Sequence, residues 1–436
     1  MRTPPLILDR AQGSYVYDIT GRRYLDGVAS IWVNVHGHRH PDLDRALIRQ
    51  LRKAAHTTLL GAANPPSIQL ARALVRVAPK GLTRVFYSDD GSTAVEVALK
   101  MALQYWQQRR PSSGSKRVFV RFTQAYHGDT AGAMSIGGIN LFHDRFRGLR
   151  VPTLAVESPY CYRCPIQRTY PDCGIACLDP LEALLQERHR EIAAVVVEPG
   201  MQAAAGMIAE PPGHLSRVRA LCTRYNVLMI ADEVATGFGR TGRMFACGHE
   251  GVTPDLMAVS KGLTGGYLPL GATLATEQIF AAFLGRYDQF KTFFHGHSYT
   301  GNPLGCAVAL SNLTVFRKEH TLARVRRRAG QLTRLLRPLN RLAHVGEVRQ
   351  HGLMVGIELV KRRDTKTPYP LTEQIGNRIA AVARRRGLLL RPLGAVIVLL
   401  PPLAVSEREL ARMVAIIRLS IRQVTESVPR RRKPAP

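Results

Sequence analysis

Asp232 and Lys261, 29 residues apart, are the two side chains whose types and settings most clearly suggest chemistry. Asp232 closes the apolar run Leu228-Met229-Ile230-Ala231, and Lys261 follows a second run from Leu256 to Val259. Runs of this length predict buried strands, and in open α/β sheets ligands gather at the strands' carboxyl edge. A lysine amine that is partly desolvated there can lose its proton and form a Schiff base with an aldehyde. An aspartate facing that aldehyde's ring can keep a ring nitrogen protonated and make the ring an electron sink. A salt-bridged Asp–Lys pair in an ordinary sheet is the alternative these two residues leave open.

Other segments must be positioned around this pair. A predicted strand at Arg84 to Tyr87 leads through Ser88-Asp89-Asp90 to Gly91-Ser92-Thr93, where a helix with an apolar face of Val95, Leu99, Ala102 and Trp106 begins. Glycine and hydroxyl residues at a helix start present free N–H groups and the positive dipole end, which suits a phosphate or a simple N-cap. A strand at Val118 to Phe122 ends at Ala125-Tyr126-His127-Gly128-Asp129, where an aromatic ring can stack on a planar ligand and Asp129 is placed near Asp232 or in loop geometry. A buried strand from Ala193 to Val197 ends at Glu198, read as a paired carboxylate at the sheet edge. Near the end, Arg391-Pro392-Leu393-Gly394 sets an arginine beside an apolar stretch, which suits bidentate capture of a carboxylate.

The stretches Asp232-Glu233-Val234-Ala235-Thr236-Gly237-Phe238-Gly239-Arg240-Thr241-Gly242 and Ser260-Lys261-Gly262-Leu263-Thr264-Gly265-Gly266 closely resemble the class III aminotransferases, a fold-type I family dependent on pyridoxal 5'-phosphate (PLP). The resemblance runs from about Leu6 to about Leu403. It implies an α/β aspartate-aminotransferase-like fold, with a mostly parallel seven-stranded sheet and a small α/β domain drawn from both termini. The implied divisions are 1–50 and 311–425 for the small domain, 51–310 for the large one, and a basic tail at 426–436. Lys261 and Asp232 take the catalytic roles. Gly91, Ser92, Tyr126 and Val234 join them around the cofactor, and His297 and Ser298 reach a partner's phosphate in a homodimer with a shared active site. The resemblance further implies Trp32, Tyr126, Gly296, Arg240 and Arg391 as substrate contacts.

Arg-Pro-x-Gly followed by Val396-Ile397-x-Leu399-x-Pro401-Pro402, with the Trp32 to Gly37 region, looks most like the branch that aminates 8-amino-7-oxononanoate in biotin biosynthesis. Two features depart from that branch. Its N-terminal Trp-His-Pro-Phe/Tyr-Thr segment is not in this sequence, and Ile31-Trp32 stands where many members carry two tryptophans. The amino donor is accordingly left between S-adenosylmethionine and lysine. Other ω-amino-acid or diamine aminotransferases, and aminomutases of glutamate-semialdehyde type, are the neighbouring alternatives.

Composition narrows the remainder. The 436 residues suffice for two domains, and no apolar leader segment or membrane span is apparent, so a cytoplasmic enzyme is expected. The net charge of +29 is spread over helices, with concentrations at Arg324 to Arg328, Arg384 to Arg386 and Arg430 to Lys433. Without a base-reading module it reads as a solvated surface rather than a nucleic-acid footprint. Cys161, Cys164, Cys173 and Cys177 have a metal-like look but lack a second strict C-x2-C knuckle, and are expected to be reduced and metal-free. His36 and His38 are read as satisfied histidines on an extended segment after a hairpin at 13–27.

Overall fold

A computed structural model describes residues 5–109 and 116–426. The basic tail expected at 426–436 therefore lies outside the described residues, apart from Glu426. Seven strands form the central sheet: β1 (Leu82–Ser88), β2 (Val118–Phe122), β3 (Thr153–Val156), β4 (Ile192–Val197), β5 (Leu228–Asp232), β6 (Leu256–Val259) and β7 (Gly271–Thr276). Their spatial order is β1-β7-β6-β5-β4-β2-β3. All neighbours run parallel except β7, which is antiparallel to both β6 and β1. Every residue of β4, β5 and β6 is buried, as the unbroken apolar runs require when helices cover both faces of a parallel sheet.

The two ends of the chain meet in a second sheet. Tyr15–Asp18 pairs antiparallel with Arg23–Asp26 across a turn at Thr20-Gly21, and Leu388–Leu389 adds parallel to Arg23–Asp26. A third sheet is built on the hairpin of Val345–His351 and Met354–Arg362, with Val396–Leu399 pairing the latter strand. This arrangement brings Arg391, close to the C-terminal end, and Trp32, close to the N-terminal one, to the same mouth over β5 and β6.

The segment after the first hairpin is not extended. Ala29–Trp32 forms a single left-handed helical turn, with φ of 47°, 48°, 66° and 69°. His36 is buried beyond it, its Nε2 3.3 Å from the Asn312 carbonyl, and burial drops its pKa to about 4. No described helix is long and apolar enough to cross a membrane.

Candidate active site

The register of β5 against β6 places Asp232 beside Ala258, three residues before Lys261. Both side chains reach a cavity of about 1050 Å³ at the carboxyl edge of the sheet. Asp232 is buried; its carboxylate accepts from the Val234 amide at 3.0 Å and lies 2.7 Å from His127 Nδ1. Burial works against charge on His127, but Asp232 outweighs it and holds the imidazole above its usual range. Lys261 has φ of 43°, and desolvation lowers the pKa of its amine despite the nearby carboxylates of Asp232 and Glu198. Its Nζ stands 5.1 Å from the Trp32 ring centre.

The helix Gly91–Arg109 starts at the same edge. Asp90 caps it, its side chain accepting from the Thr93 amide at 2.9 Å and its carbonyl from the Ala94 amide at 3.0 Å. Among the described residues no acceptor is found for the amides of Gly91 and Ser92. A Cβ on Gly91 would fall 2.6 Å from Val234 Cγ1, and one on Gly128, at φ 128°, would fall 2.2 Å from Ser92 Oγ. The backbone therefore closes around Ser92 and Val234 in a way that only glycine permits. Tyr126 lines the cavity, stacked on His143 with centroids 6.0 Å apart and planes 12° from parallel.

These residues fit a phosphorylated pyridine aldehyde. Unpaired amides at a helix start suit the phosphate, a buried carboxylate suits a pyridinium N–H, and the lysine amine suits the aldehyde carbon.

Glu198 also faces the cavity, and no ion-pair partner within salt-bridge distance is found for it among the described residues. Its carboxylate accepts from the amides of Tyr126 at 3.0 Å and Ala203 at 3.1 Å, and burial lifts its pKa to about 7. The pairing expected for this sheet-edge carboxylate is made with two backbone donors. Because its folded pKa lies above its unfolded value, folding binds a proton as pH rises through the window between them, so stability declines from about pH 4.5 to about pH 7. Glu198→Gln is expected to remove that part of the decline, worth on the order of 3 kcal/mol at ~1.4 kcal/mol per unit. Denaturant unfolding of the apoprotein across that range checks it; an unchanged pH profile contradicts it.

Other expected residues lie elsewhere. Arg240 is fully buried and does not line the cavity. Its guanidinium donates to the carbonyls of Trp32 and Pro401 at 2.9 Å and of Asn34 at 2.6 Å. Buried outside the cavity lining, with both Nη atoms bound to backbone carbonyls, it is placed for a structural role rather than for the substrate contact expected of it. Asp129 is exposed, and the partner of Asp232 is His127 instead. Gly296, His297 and Ser298 lie outside their own chain's cavity; His297 Nδ1 meets Asp89 at 2.7 Å, while Gly296 and Ser298 are exposed. Arg391 does line the cavity, exposed, and no hydrogen-bond or ion-pair partner is found for it among the described residues. Trp32 lines it too, together with Ile31.

The four clustered cysteines are free thiols, ranging from exposed Cys161 to buried Cys177. Among the described residues no group of three or more His, Cys, Asp or Glu side chains could hold a metal ion. Elemental analysis of protein purified without chelator is expected to show no stoichiometric zinc; one zinc per chain would overturn that expectation.

A sheet of this order, with an aspartate on β5 and a lysine after β6 beside a helix-start anion cradle, defines a Schiff-base enzyme of amines and carbonyls. The sequence profile of class-III aminotransferases matches residues 1–421, and the chain belongs to that family of PLP-dependent aminotransferases. It is 53% identical over 98% of its length, and 79% of the relative's, to a protein of Nitratidesulfovibrio vulgaris named adenosylmethionine-8-amino-7-oxononanoate aminotransferase. The solved enzyme of that name from Methanocaldococcus jannaschii superposes with a TM-score of 0.92 at 42% identity, covering 97% of this chain and 94% of the other. An amine transaminase from an uncultivated Pseudomonas species, solved with PLP bound, gives 0.93 at 36% identity, covering 97% and 96%.

Proposed function

We propose that this aminotransferase delivers an amino group to 8-amino-7-oxononanoate, giving 7,8-diaminononanoate, with S-adenosylmethionine as donor and lysine as the alternative donor. The observation that carries the reading is Arg391, a guanidinium unpaired among the described residues and in the same cavity as Lys261. This acceptor has a carboxylate at one end and its oxo group near the other, joined by a methylene chain. It therefore needs a cation set apart from the reacting lysine and apolar walls between them. Ile31, Trp32 and Leu393 provide such a wall. The names of the similar proteins from Nitratidesulfovibrio vulgaris and Methanocaldococcus jannaschii support the same acceptor and donor.

PLP, when bound, supplies an aldehyde for the amine and a ring that accepts the electron pair of a cleaved C–H bond. The amides of Gly91 and Ser92 would hold its phosphate, Asp232 its ring nitrogen, and Val234 and Tyr126 its two faces. Lys261, whose amine desolvation makes easier to deprotonate, would carry the proton from the donor's α-carbon to the cofactor and, in the second half-reaction, from the cofactor to the acceptor's oxo carbon. Asp232, oriented by His127 and the Val234 amide, would keep a proton on the ring nitrogen. Arg391 binds the acceptor's carboxylate and so orients its oxo carbon toward Lys261. Gly296, His297 and Ser298, placed outside their own cavity, are proposed to complete a partner subunit's site in a cytoplasmic homodimer.

Arg391→Ala is expected to raise the KM for 8-amino-7-oxononanoate strongly, since a hydrogen bond to a charged group is worth roughly 1.5–3 kcal/mol. Arg391→Lys should recover only part, because lysine cannot form two parallel hydrogen bonds. Steady-state kinetics with each substrate varied in turn test this, and an unchanged acceptor KM in Arg391→Ala sinks the assignment.

A further inference from the structure

The left-handed turn Ala29–Trp32 carries no reacting group, yet it forms one wall of the cavity. Four successive non-glycine residues with positive φ, a β-branched isoleucine among them, persist only where the surroundings over-determine the backbone. Two buried charges, one on each side of the turn, do this. Asp26 precedes it; its carboxylate accepts from the amides of Val28 at 3.3 Å and Ser30 at 3.1 Å and from the Ser30 hydroxyl at 2.8 Å, and lies 3.0 Å from His38 Nε2. Arg240 closes the other end by donating to the carbonyls of Trp32 and Asn34. Behind them the backbone of Asn34 approaches Gly266 so closely that a Cβ there would come within 3.1 Å. Ala29 anchors the turn in the core, but burial does not fix its outer half: Ile31 is 40% exposed and, like Trp32, lines the cavity.

We propose that Asp26, with His38 and Arg240, is a positioning clamp that fixes this turn so that Ile31 and Trp32 form the acceptor-binding wall and the Trp32 ring stays over the Lys261 amine. None of the three touches the reacting atoms; they act through the turn. Both polarities of the strained backbone meet charged partners, the Val28 and Ser30 N–H groups a carboxylate and the Trp32 and Asn34 carbonyls a guanidinium, and charge-assisted hydrogen bonds are the strong ones. The wall is thereby rigid before substrate arrives, which lowers the ordering cost of binding. The inference rests on the cavity being the acceptor site of an aminotransferase, but not on which acceptor it takes.

The chain has two tryptophans, so Trp106→Phe leaves Trp32 as the sole emitter. Trp106 lies on the helix Gly91–Arg109, outside the cavity lining. In holoenzyme of that background, Asp26→Ala is expected to shift Trp32 emission to the red and increase its quenching by acrylamide. Acceptor KM should rise roughly 10- to 100-fold, as misplacement of a positioning element does, with a much smaller change in kcat. Asp26→Asn, which keeps an oxygen acceptor for the Ser30 amide, should restore part of both signals. Ser30→Ala removes a single hydroxyl donor at an exposed residue; it should give the same changes in miniature, and it decides the matter if Asp26→Ala does not fold. Wild-type emission and KM in Asp26→Ala, or in Ser30→Ala where that variant decides, overturn the clamp; so does a lower Tm with emission and KM unmoved, which marks a folding role alone. If 8-amino-7-oxononanoate fails as a substrate of the parent enzyme, the acceptor assignment fails while Trp32 emission still decides the clamp.

Discussion

Lys261→Ala is expected to abolish turnover while leaving the fold in place. Borohydride treatment of the PLP-loaded parent should leave a pyridoxyl label on Lys261 and none on the variant. The expectation rests on position rather than on residue type alone. The chain leaves buried β6 at Val259, passes Ser260, whose hydroxyl donates to the Leu270 carbonyl at 2.8 Å, and enters Lys261 with φ of 43°. That left-handed conformation costs an L-residue roughly 1–2 kcal/mol. It is held by flanking structure on both sides: Gly262 packs so closely on Phe238 that a Cβ would come within 2.8 Å, and Asn312 donates to the carbonyls of Gly262 and Leu263 at 2.9 and 3.0 Å. The amine is thus aimed by backbone rather than by an ion pair, and burial keeps its proton loosely held. Alanine keeps the backbone restraints and removes only the nucleophile and proton carrier. Peptide mapping that finds the label on another lysine would overturn the assignment, and turnover in Lys261→Ala near that of the parent would do the same.

The strands that present Asp232 and Lys261 are legible because a strand buried on both faces must be apolar throughout, and the break from apolar to charged marks its carboxyl end. The helix at Gly91 is legible for a similar local reason, a glycine and two hydroxyl residues after a strand. What escapes the sequence is decided by partners far along the chain. An arginine in a glycine-rich loop reads as facing ligand, and only the carbonyls of Trp32, Asn34 and Pro401 turn Arg240 inward. His127 sits one residue after the ring-stacking candidate. Its partner Asp232 is 105 residues on, so no spacing announces the pair. The left-handed turn is the hardest case. Ala29, Ser30, Ile31 and Trp32 have no preference for positive φ, and the segment looks extended until Asp26 and Arg240 are seen to hold it.

Asp232→Asn is expected to retain PLP but lose most of its turnover. The amide is nearly isosteric and can still accept the Val234 amide through its oxygen, so the loop geometry should survive. It carries no charge, however, and cannot hold a proton on a ring nitrogen against the pull of a developing carbanion. Removing one fixed electrostatic contact of this kind lowers kcat by roughly 10²–10³-fold, about 3–4 kcal/mol. His127 offers the control that separates charge from packing. Its Nδ1 faces Asp232 at 2.7 Å, while its Nε2 is buried without a partner among the described residues. His127→Asn, which can donate from its amide, should therefore cost less than Asp232→Asn and act in the same direction, through the orientation of the carboxylate. The two losses should also fail to add in the double variant, because once the charge is gone the imidazole has nothing to orient. Pre-steady-state measurement of the amine half-reaction gives all three values. Equal and additive losses would mean that His127 acts on substrate in its own right, and near-parent rates in Asp232→Asn would remove the electron-sink role from this aspartate.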